Sequence, residues 1–319
     1  MINHYKPCRL CPRSCNVDRT AGTIGYCKET AALRLAVAVL HYGEEPPLVG
    51  EGGSGTIFVS GCNLRCVFCQ NYQISQGGRQ GEAVRASLGK AVSAGGFAEI
   101  CIKLQDKGAV NINIVTGSHA IPAITQGITA AKKAGVQLPF LWNCSAYETP
   151  EALELLREHI DIFLPDIKTL DSGIAANFFN APDYPNAAAA AVLKMIDMAH
   201  QKSPENAHEK VIIRHLILPG YLEATRRVLQ WFADNAKGRA LLSLMTQYTP
   251  VDTMTGSMDK IPQRFLLAKE YKTVLGWLDE LGIEDGFCQE LVTGSDWLPD
   301  FNRANPFSSK LSVPVWHCS

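Results

Sequence analysis

No apolar run near the start of the 319-residue chain is long enough to span a membrane. The longest, Ala31 to Leu40, is interrupted by Arg34, whereas a span needs about 18 apolar residues or more. The opening MINHYKPCRL lacks the apolar core of a signal peptide. Neither charge sign dominates, since 30 Lys and Arg stand against 31 Asp and Glu without blocks of like charge. These absences predict a soluble, cytoplasmic protein that binds neither nucleic acid nor a membrane.

Charged residues are also scarce, at 19%, while hydrophobic residues make up 46% of the chain. Such a composition can bury a sizeable core and excludes disorder for most of the chain. The length fits two domains or one large α/β unit.

Short apolar runs alternate with longer helical patterns through most of the chain. The runs are TIFVS from Thr56, VNINIVT from Val110, LPFLW from Leu138, IDIFLP from Ile160, VIIRHLIL from Val211 and ALLSLM from Ala240. The helical patterns cover 88–107, 120–134, 150–158, 187–200, 222–236 and 263–281. Six β-then-α units predict a parallel sheet whose strands end at one rim, where functional residues should lie.

Eight such units would need a longer chain, so six units predict an α/β fold built as a partial (β/α)6 TIM-like barrel. We divide the chain into a cysteine-rich N-terminal segment with a hairpin over residues 1–50, the barrel over 51–295 and a C-terminal tail over 296–319.

Seven of the eleven cysteines lie in the first 69 residues. In a reducing compartment, clustered thiols bind metals or do redox chemistry more often than they form disulfides. Cys62, Cys66 and Cys69 follow the first strand of the barrel in SGCNLRCVFCQN. Three thiolates at these spacings can bind three corners of a cubane [4Fe-4S] cluster and leave the fourth iron open for chemistry.

This motif, with Phe68 inside its second gap, is typical of radical S-adenosylmethionine (SAM) enzymes. The sequence resembles the PflX branch of that superfamily, relatives of the pyruvate formate-lyase activating enzymes. The matching blocks are CRLCPRSCNVDR, GYC, GSGTIFVSGCNLRCVFCQNYQIS, VNINIVTGSH, LPFLWNCSAYE, FLPDIK, IIRHLILPG and LMTQYTP.

The resemblance implies that the open iron binds the amino and carboxylate groups of SAM. The reduced cluster would then cleave SAM to methionine and a 5'-deoxyadenosyl radical, which takes hydrogen from a substrate. By resemblance the substrate is a glycine of a glycyl-radical enzyme, and the electron donor is a flavodoxin or ferredoxin.

In addition to Phe68, several residues that follow the barrel strands are candidate SAM contacts. Asp166 and Lys168 match a DxK pair that contacts SAM in the activating enzymes. An ordinary ion pair at a strand end would have the same sequence. Arg214 matches an arginine in the RxxxxPG block of the family; it would clamp the methionyl carboxylate of SAM or only brace the sheet.

The GGE segment with which many radical SAM enzymes hold the SAM amino group is absent. At its expected place the chain reads NINIVTGSH. There Asn113 or Thr116 would offer an oxygen acceptor to SAM, or would only form hydrogen bonds at the strand end.

The N-terminal segment carries a second set, Cys8, Cys11, Cys15 and Cys27. Four thiolates complete a tetrahedral metal site, and such a site can fold a segment too small for its own core. Spacing leaves zinc, a second iron–sulfur cluster that relays electrons, and no metal open.

Other residues are weaker candidates. Cys144 and Cys288 would face the barrel interior or pack in the core, and His119 and His215 would donate protons or be structural.

Two further readings of the function stay open at this point. One is a radical SAM enzyme that modifies a peptide or a small molecule. The other is a non-catalytic iron–sulfur electron carrier, which would bind a cluster without cleaving SAM.

Overall fold

The computed structural model describes residues 4–76, 79–80, 83–84, 88–251 and 261–319. Its strands are β1 Leu33–His41, β2 Ser54–Val59, β3 Arg79–Gln80, β4 Ala83–Val84, β5 Lys90–Val92, β6 Ile112–Val115, β7 Phe140–Cys144, β8 Ile162–Pro165, β9 Ile212–Leu216, β10 Leu241–Met245, β11 Gly286–Cys288 and β12 Ser312–His317. Its helices are α1 Pro46–Val49, α2 Tyr72–Ser75, α3 Ala94–Asp106, α4 Ile121–Lys133, α5 Pro150–Glu154, α6 Ser172–Phe179, α7 Tyr184–Lys202, α8 Leu222–Asn235 and α9 Ala268–Leu281.

An open arc of parallel strands forms the centre of the molecule. Strands β2, β6, β7 and β8 pair in that order, and β9, β10 and β11 form a second parallel group. Single bridges from Phe163 to Val211 and from Asp166 to Arg214 join β8 to β9. The arc is a partial TIM-like barrel, as predicted, and each of the six apolar runs supplies a strand.

A seventh parallel strand, β11, extends the arc beyond β10. It is three residues long, two of them exposed, so it has no apolar run by which a sequence pattern could reveal it.

Strand β1 covers the first edge of the arc, pairing antiparallel with β2 and on its other side with β12 and β5. The segment predicted as a C-terminal tail therefore contains a strand paired with β1. The partners of β1 all lie beyond residue 50, so β1 forms no hairpin within residues 4–50.

Alternate residues of the parallel strands face opposite sides of the barrel wall. Trp142, Phe163 and Ile213 belong to the core shared with the surrounding helices. Their neighbours Leu141, Leu164 and Ile212 instead form a separate cluster with Leu48 of α1. Helix α1, which follows β1, thus closes the barrel interior near the end where the parallel strands begin.

Three helical patterns were predicted too long. Residues 88–93 are not helical, because Lys90–Val92 pairs with β1 and the Ser93 hydroxyl caps α3 by accepting from Gly96 N. Helix α5 ends at Glu154 rather than 158. Helix α9 begins at Ala268 rather than 263. The Glu270 carboxylate caps this start by accepting from the Leu267 N–H. Among the described helices, none combines the length and apolarity that crossing a bilayer requires.

Candidate active site

A cavity of about 710 Å³ opens where the parallel strands end. This volume is in the range of small-molecule and cofactor sites. It brings together most of the residues predicted from sequence to act on SAM: Cys62, Cys66, Phe68, Cys69, Thr116, Asp166, Lys168 and Arg214.

The cysteine loop, residues 60–71, enters the cavity through a turn at Gly61. Gly61 has φ +83°, and a Cβ there would lie 2.4 Å from Glu29 Cγ, so only glycine fits without strain. The Gly61 N–H donates to Ile74 O at 2.8 Å. This turn directs Cys62 into the cavity immediately after β2.

The sulphur atoms of the loop lie in buried surroundings that supply polar partners. Cys62 Sγ accepts from the N–H groups of Leu64 at 3.3 Å and Arg65 at 3.4 Å, and Cys69 Sγ lies 3.3 Å from Ser75 Oγ. Burial raises the pKa of Cys69 to about 11 and that of Cys66 well above its usual value. These thiols ionise when a metal takes the place of the proton.

In the described part of the chain, no three His, Cys, Asp or Glu side chains are placed as ligands of a single ion. A cubane cluster binds its thiolates at separate irons, so its ligands stand farther apart than those of one ion. Three sulphur donors around one end of a cavity, two of them buried, therefore fit an iron–sulfur cluster by donor type and placement.

Phe68 lines the cavity beside these sulphurs. Its ring packs edge-on against Phe178 and Phe179, each with centroids 5.9 Å away, and lies 6.2 Å from the ring of Tyr248. Of these four rings, Phe68 alone lines the cavity, where it gives the wall an apolar surface that the other three support from behind.

Asp166 and Lys168 follow β8 directly and form an ion pair with Nζ 2.7 Å from Oδ2. Burial opposes the charged ammonium, but the Asp166 carboxylate and the Cys66 sulphur together raise the pKa of Lys168 above its usual value. The Tyr184 hydroxyl holds the segment by donating to Asp166 O at 2.9 Å. The site thus has a fixed cation close to Cys66.

Arg214 also faces the cavity, but two carboxylates already bind it. Its Nε donates to Glu45 Oε1 at 2.8 Å, and its Nη2 donates to both Glu44 and Glu45. Burial opposes ionisation of Glu45, yet Arg214 lowers the pKa of that carboxyl below its usual value. Contact between Arg214 and the SAM carboxylate stays a prediction.

Asn113 lies deeper in the barrel and does not line the cavity. Its Nδ2 donates to Glu44 Oε1 at 3.0 Å, and its buried Oδ1 has no hydrogen-bond partner among the described residues. Thr116 does line the cavity, with φ +61° just beyond β6. Of the two proposed substitutes for the GGE segment, Thr116 is therefore the one that the fold brings to the rim.

Sequence reasoning missed the two glutamates and the C-terminal part of the cavity wall. Glu44 and Glu45 come from the connection between β1 and α1, and Trp297, Pro299 and Phe307 also line the cavity. Two adjacent acidic residues before Pro46-Pro47 are a local signal for the glutamates, but nothing near the aromatic residues marks them.

The weaker candidates divide between the cavity and the core. Cys144 and Cys288 both line the cavity. His119 and His215 are buried, and burial lowers their pKa values to about 3 and about 4, so both stay neutral near pH 7. His119 Nε2 donates to Ser60 O at 2.8 Å and His215 Nδ1 donates to Ile167 O at 2.7 Å.

The four N-terminal cysteines lie away from this cavity and line a smaller one together. Arg13 connects that region to the cysteine loop, donating to Asn63 O at 3.0 Å and Phe179 O at 2.7 Å.

A family model of the radical SAM superfamily matches residues 56–232, more than half of the chain. This chain belongs to the radical SAM superfamily. The partial barrel is therefore of the radical SAM type. Enzymes of this superfamily catalyse radical chemistry after cleaving SAM at a [4Fe-4S] cluster.

Individual relatives are more distant. The uncharacterized protein MJ0674 of Methanocaldococcus jannaschii is 29% identical over 256 residues, covering 78% of this chain and 68% of that protein. The crystal structure of Streptococcus suis SuiB is similar at a TM-score of 0.50 and 15% identity, covering 74% of this chain. Methylornithine synthase, PylB, matches at 0.48 and 13%, covering 78% of this chain and 76% of its own. The present chain spans 48% of SuiB, and the likeness to SuiB bears on the fold alone.

Proposed function

We propose that this protein reductively cleaves SAM in the 710 Å³ cavity and abstracts hydrogen from a substrate bound there. The observation that carries the proposal is the meeting of Cys62, Cys66 and Cys69 with the Asp166–Lys168 pair at one end of that cavity. Three sulphur ligands leave one iron of a cubane cluster without a protein ligand.

In this proposal the three cysteine thiolates hold the cluster, and the turn at Gly61 fixes the direction in which they approach it. A [4Fe-4S] cluster bound there supplies the electron that cleaves SAM to methionine and a 5'-deoxyadenosyl radical. The aromatic wall at Phe68 excludes water, which protects a reactive species from side reactions.

The charged residues of the rim orient the methionyl end of SAM. Lys168 offers an ammonium to its carboxylate, and Asp166 offers a carboxylate to its amino group or to a ribose hydroxyl. Thr116 adds a hydroxyl at the end of β6. Arg214 would reach the carboxylate only if it gave up a bond to Glu44 or Glu45.

For the substrate we propose a glycine in another protein, on the strength of the motifs shared with the activating enzymes. The alternative substrate is a peptide or small molecule, which would leave no lasting radical on a partner. A flavodoxin or ferredoxin is the proposed electron donor. The N-terminal cysteines bind a metal of their own, separate from the SAM site.

The test is anaerobic turnover after reconstitution with iron and sulfide. The protein is reduced with dithionite, SAM is added, and 5'-deoxyadenosine is measured by chromatography. We expect deoxyadenosine from the unmutated protein and none from the Cys62→Ala/Cys66→Ala/Cys69→Ala variant. Cys318→Ala, which removes a cysteine that does not line the cavity, should leave the yield unchanged.

A cluster that forms and reduces while SAM stays intact would overturn the proposal and favour an electron carrier. A glycyl radical detected by electron paramagnetic resonance on an added partner protein would establish the proposed substrate class. Release of deoxyadenosine with a modified peptide or small molecule, and no such radical, would establish the alternative.

A further inference from the structure

The head, residues 4–30, folds with only one short 3₁₀ turn, Arg19–Ala21. Its four cysteines line one cavity of about 10 Å³, to which the barrel contributes Asn63 and His119. A space of this size holds about one water molecule or one ion of similar size. It has no room for a cluster of several irons and sulfides.

Hydrogen-bond donors surround the four sulphur atoms. The Tyr26 N–H donates to Cys15 Sγ at 3.3 Å, and the Arg19 guanidinium donates to Cys8 Sγ at 3.7 Å. Gly25 packs so closely that a Cβ there would lie 3.0 Å from Cys15 Sγ. A side chain at Gly25 would crowd this sulphur.

The other two sulphurs have the same kind of partner. Cys11 is hydrogen-bonded by the main chain of Arg13 and the side chain of Asn63. Cys27 is hydrogen-bonded by the main chain of Glu29. Donors of this kind stabilise thiolates and orient metal ligands, whereas a neutral buried thiol needs none.

Arg19 is a buried cation beside the head cysteines. Its side chain is 2% exposed, and it donates to the main-chain oxygens of Glu29 at 3.0 Å, Thr30 at 2.6 Å and His119 at 2.5 Å. Within the described ranges it pairs with no carboxylate. A buried cation is costly without a nearby negative charge, and thiolates at the head cysteines would supply one.

We propose that Cys8, Cys11, Cys15 and Cys27 bind one Zn²⁺ in a closed site. Each thiol loses its proton to solvent as its sulphur–zinc bond forms, and four thiolates around one divalent ion leave two negative charges facing Arg19. As in the cysteine loop, the sulphurs are not placed as ligands of one ion, but here they line about 10 Å³ rather than about 710 Å³. This space is too small for a cluster, so the four sulphurs draw together on one zinc. Zinc with four cysteines is a structural site with no open position.

The position of the site defines its role. Asn63, which hydrogen-bonds Cys11, directly follows Cys62 in the cysteine loop. Arg19 bonds His119, whose ring bonds Ser60 at the start of the same loop. The zinc therefore fixes the side of the loop opposite the cavity. This role, unlike the ion itself, rests on the proposed function of the loop.

The test uses the full chain carrying Cys62→Ala/Cys66→Ala/Cys69→Ala, which cannot hold the SAM cluster. After anaerobic purification and exposure to iron and sulfide, metals are counted by mass spectrometry. We expect one zinc per chain, no sulfide, and loss of that zinc on adding Cys8→Ser/Cys11→Ser. Iron with sulfide, iron without sulfide, no metal, or zinc retained in the combined variant would each overturn the proposal.

A second measurement does not depend on variants that fold. In the unmutated protein, alkylation followed by mass spectrometry should show the four head thiols protected until a strong zinc chelator is added. Exposed Cys288 serves as the reactive control, and head thiols that react as fast as Cys288 contradict the site. Failure of SAM cleavage with zinc still bound would overturn the proposed function alone.

Discussion

Arg13 of the head donates from Nε to the main-chain oxygen of Asn63 at 3.0 Å, one residue after Cys62. The same guanidinium donates to Phe179 O and Asn180 O and lies 3.8 Å over the Tyr26 ring. A single side chain therefore joins the head, the cysteine loop and the end of α6.

We expect Arg13→Ala to lower the free energy of unfolding by about 1 to 3 kcal/mol, since several hydrogen bonds from a charged donor are lost. The reconstituted variant should also lose iron to a chelator faster than the unmutated protein, which absorbance can follow. Arg9→Ala is the matched control, because among the described residues the Arg9 side chain donates only to Asn16, within the head. Equal rates of iron loss in Arg13→Ala and Arg9→Ala would show that Arg13 does not brace the loop.

Removing one charge of the Asp166–Lys168 pair should harm both stability and SAM binding. Lys168→Met leaves Asp166 without its partner at a site about 20% exposed, which we expect to cost about 3 kcal/mol. SAM affinity, measured by equilibrium dialysis, should fall about tenfold or more, which corresponds to roughly 1.4 kcal/mol.

The control for this variant is Lys194→Met, which breaks a more exposed pair with Glu154 and should change stability by less than about 1 kcal/mol. Adding Asp166→Asn to Lys168→Met should recover stability but not SAM affinity. If SAM binds the double variant normally, the pair is structural and not a SAM contact.

Arg214→Met would leave Glu44 and Glu45 without the cation that neutralises them. Their side chains are only 10% and 7% exposed, so we expect the free energy of unfolding to fall by about 3 to 5 kcal/mol. Glu45→Gln in the same background should restore part of it, because one buried charge is removed. Chemical denaturation measures both effects, and a stable single variant would contradict the burial of this group.

Stability should depend on pH through His215. An unfolded chain binds a proton at this ring below its usual pKa of 6.5, whereas burial lowers the folded pKa to about 4. Stability from the neutral ring is thus complete above pH 6.5 and is lost as pH falls toward 4. The shift corresponds to about 3 kcal/mol.

We expect His215→Asn to flatten the slope of unfolding free energy between pH 4 and 6.5. The same substitution at His200, on the exposed face of α7, serves as the control. An unchanged slope in His215→Asn would mean that other groups cause the acid sensitivity.

Six of the seven parallel strands were predictable because each is a run of apolar, often β-branched residues that a helical pattern follows. The cysteine loop was predictable because Cys62, Cys66 and Cys69 are close in sequence and follow a strand. Both signals are local in sequence, so they can be recognised without knowledge of the tertiary structure.

The pairing of Arg214 with Glu45 was not predictable, since 169 residues separate them. Only the folded barrel shows that the connection before α1 enters the barrel interior. There Glu44 and Glu45 bind the Arg214 guanidinium. For the same reason no sequence pattern indicated that Trp297 and Phe307 line the cavity.

Strand β12 pairs with β1 across more than 270 residues of chain. A ribosome adding roughly 5 to 20 residues per second needs on the order of tens of seconds to make that span. During this time the outer edge of β1 has no β12 to cover it. The cavity wall that Trp297 and Phe307 provide is also missing then, so loading of the cofactors into a closed pocket must follow synthesis of these last residues.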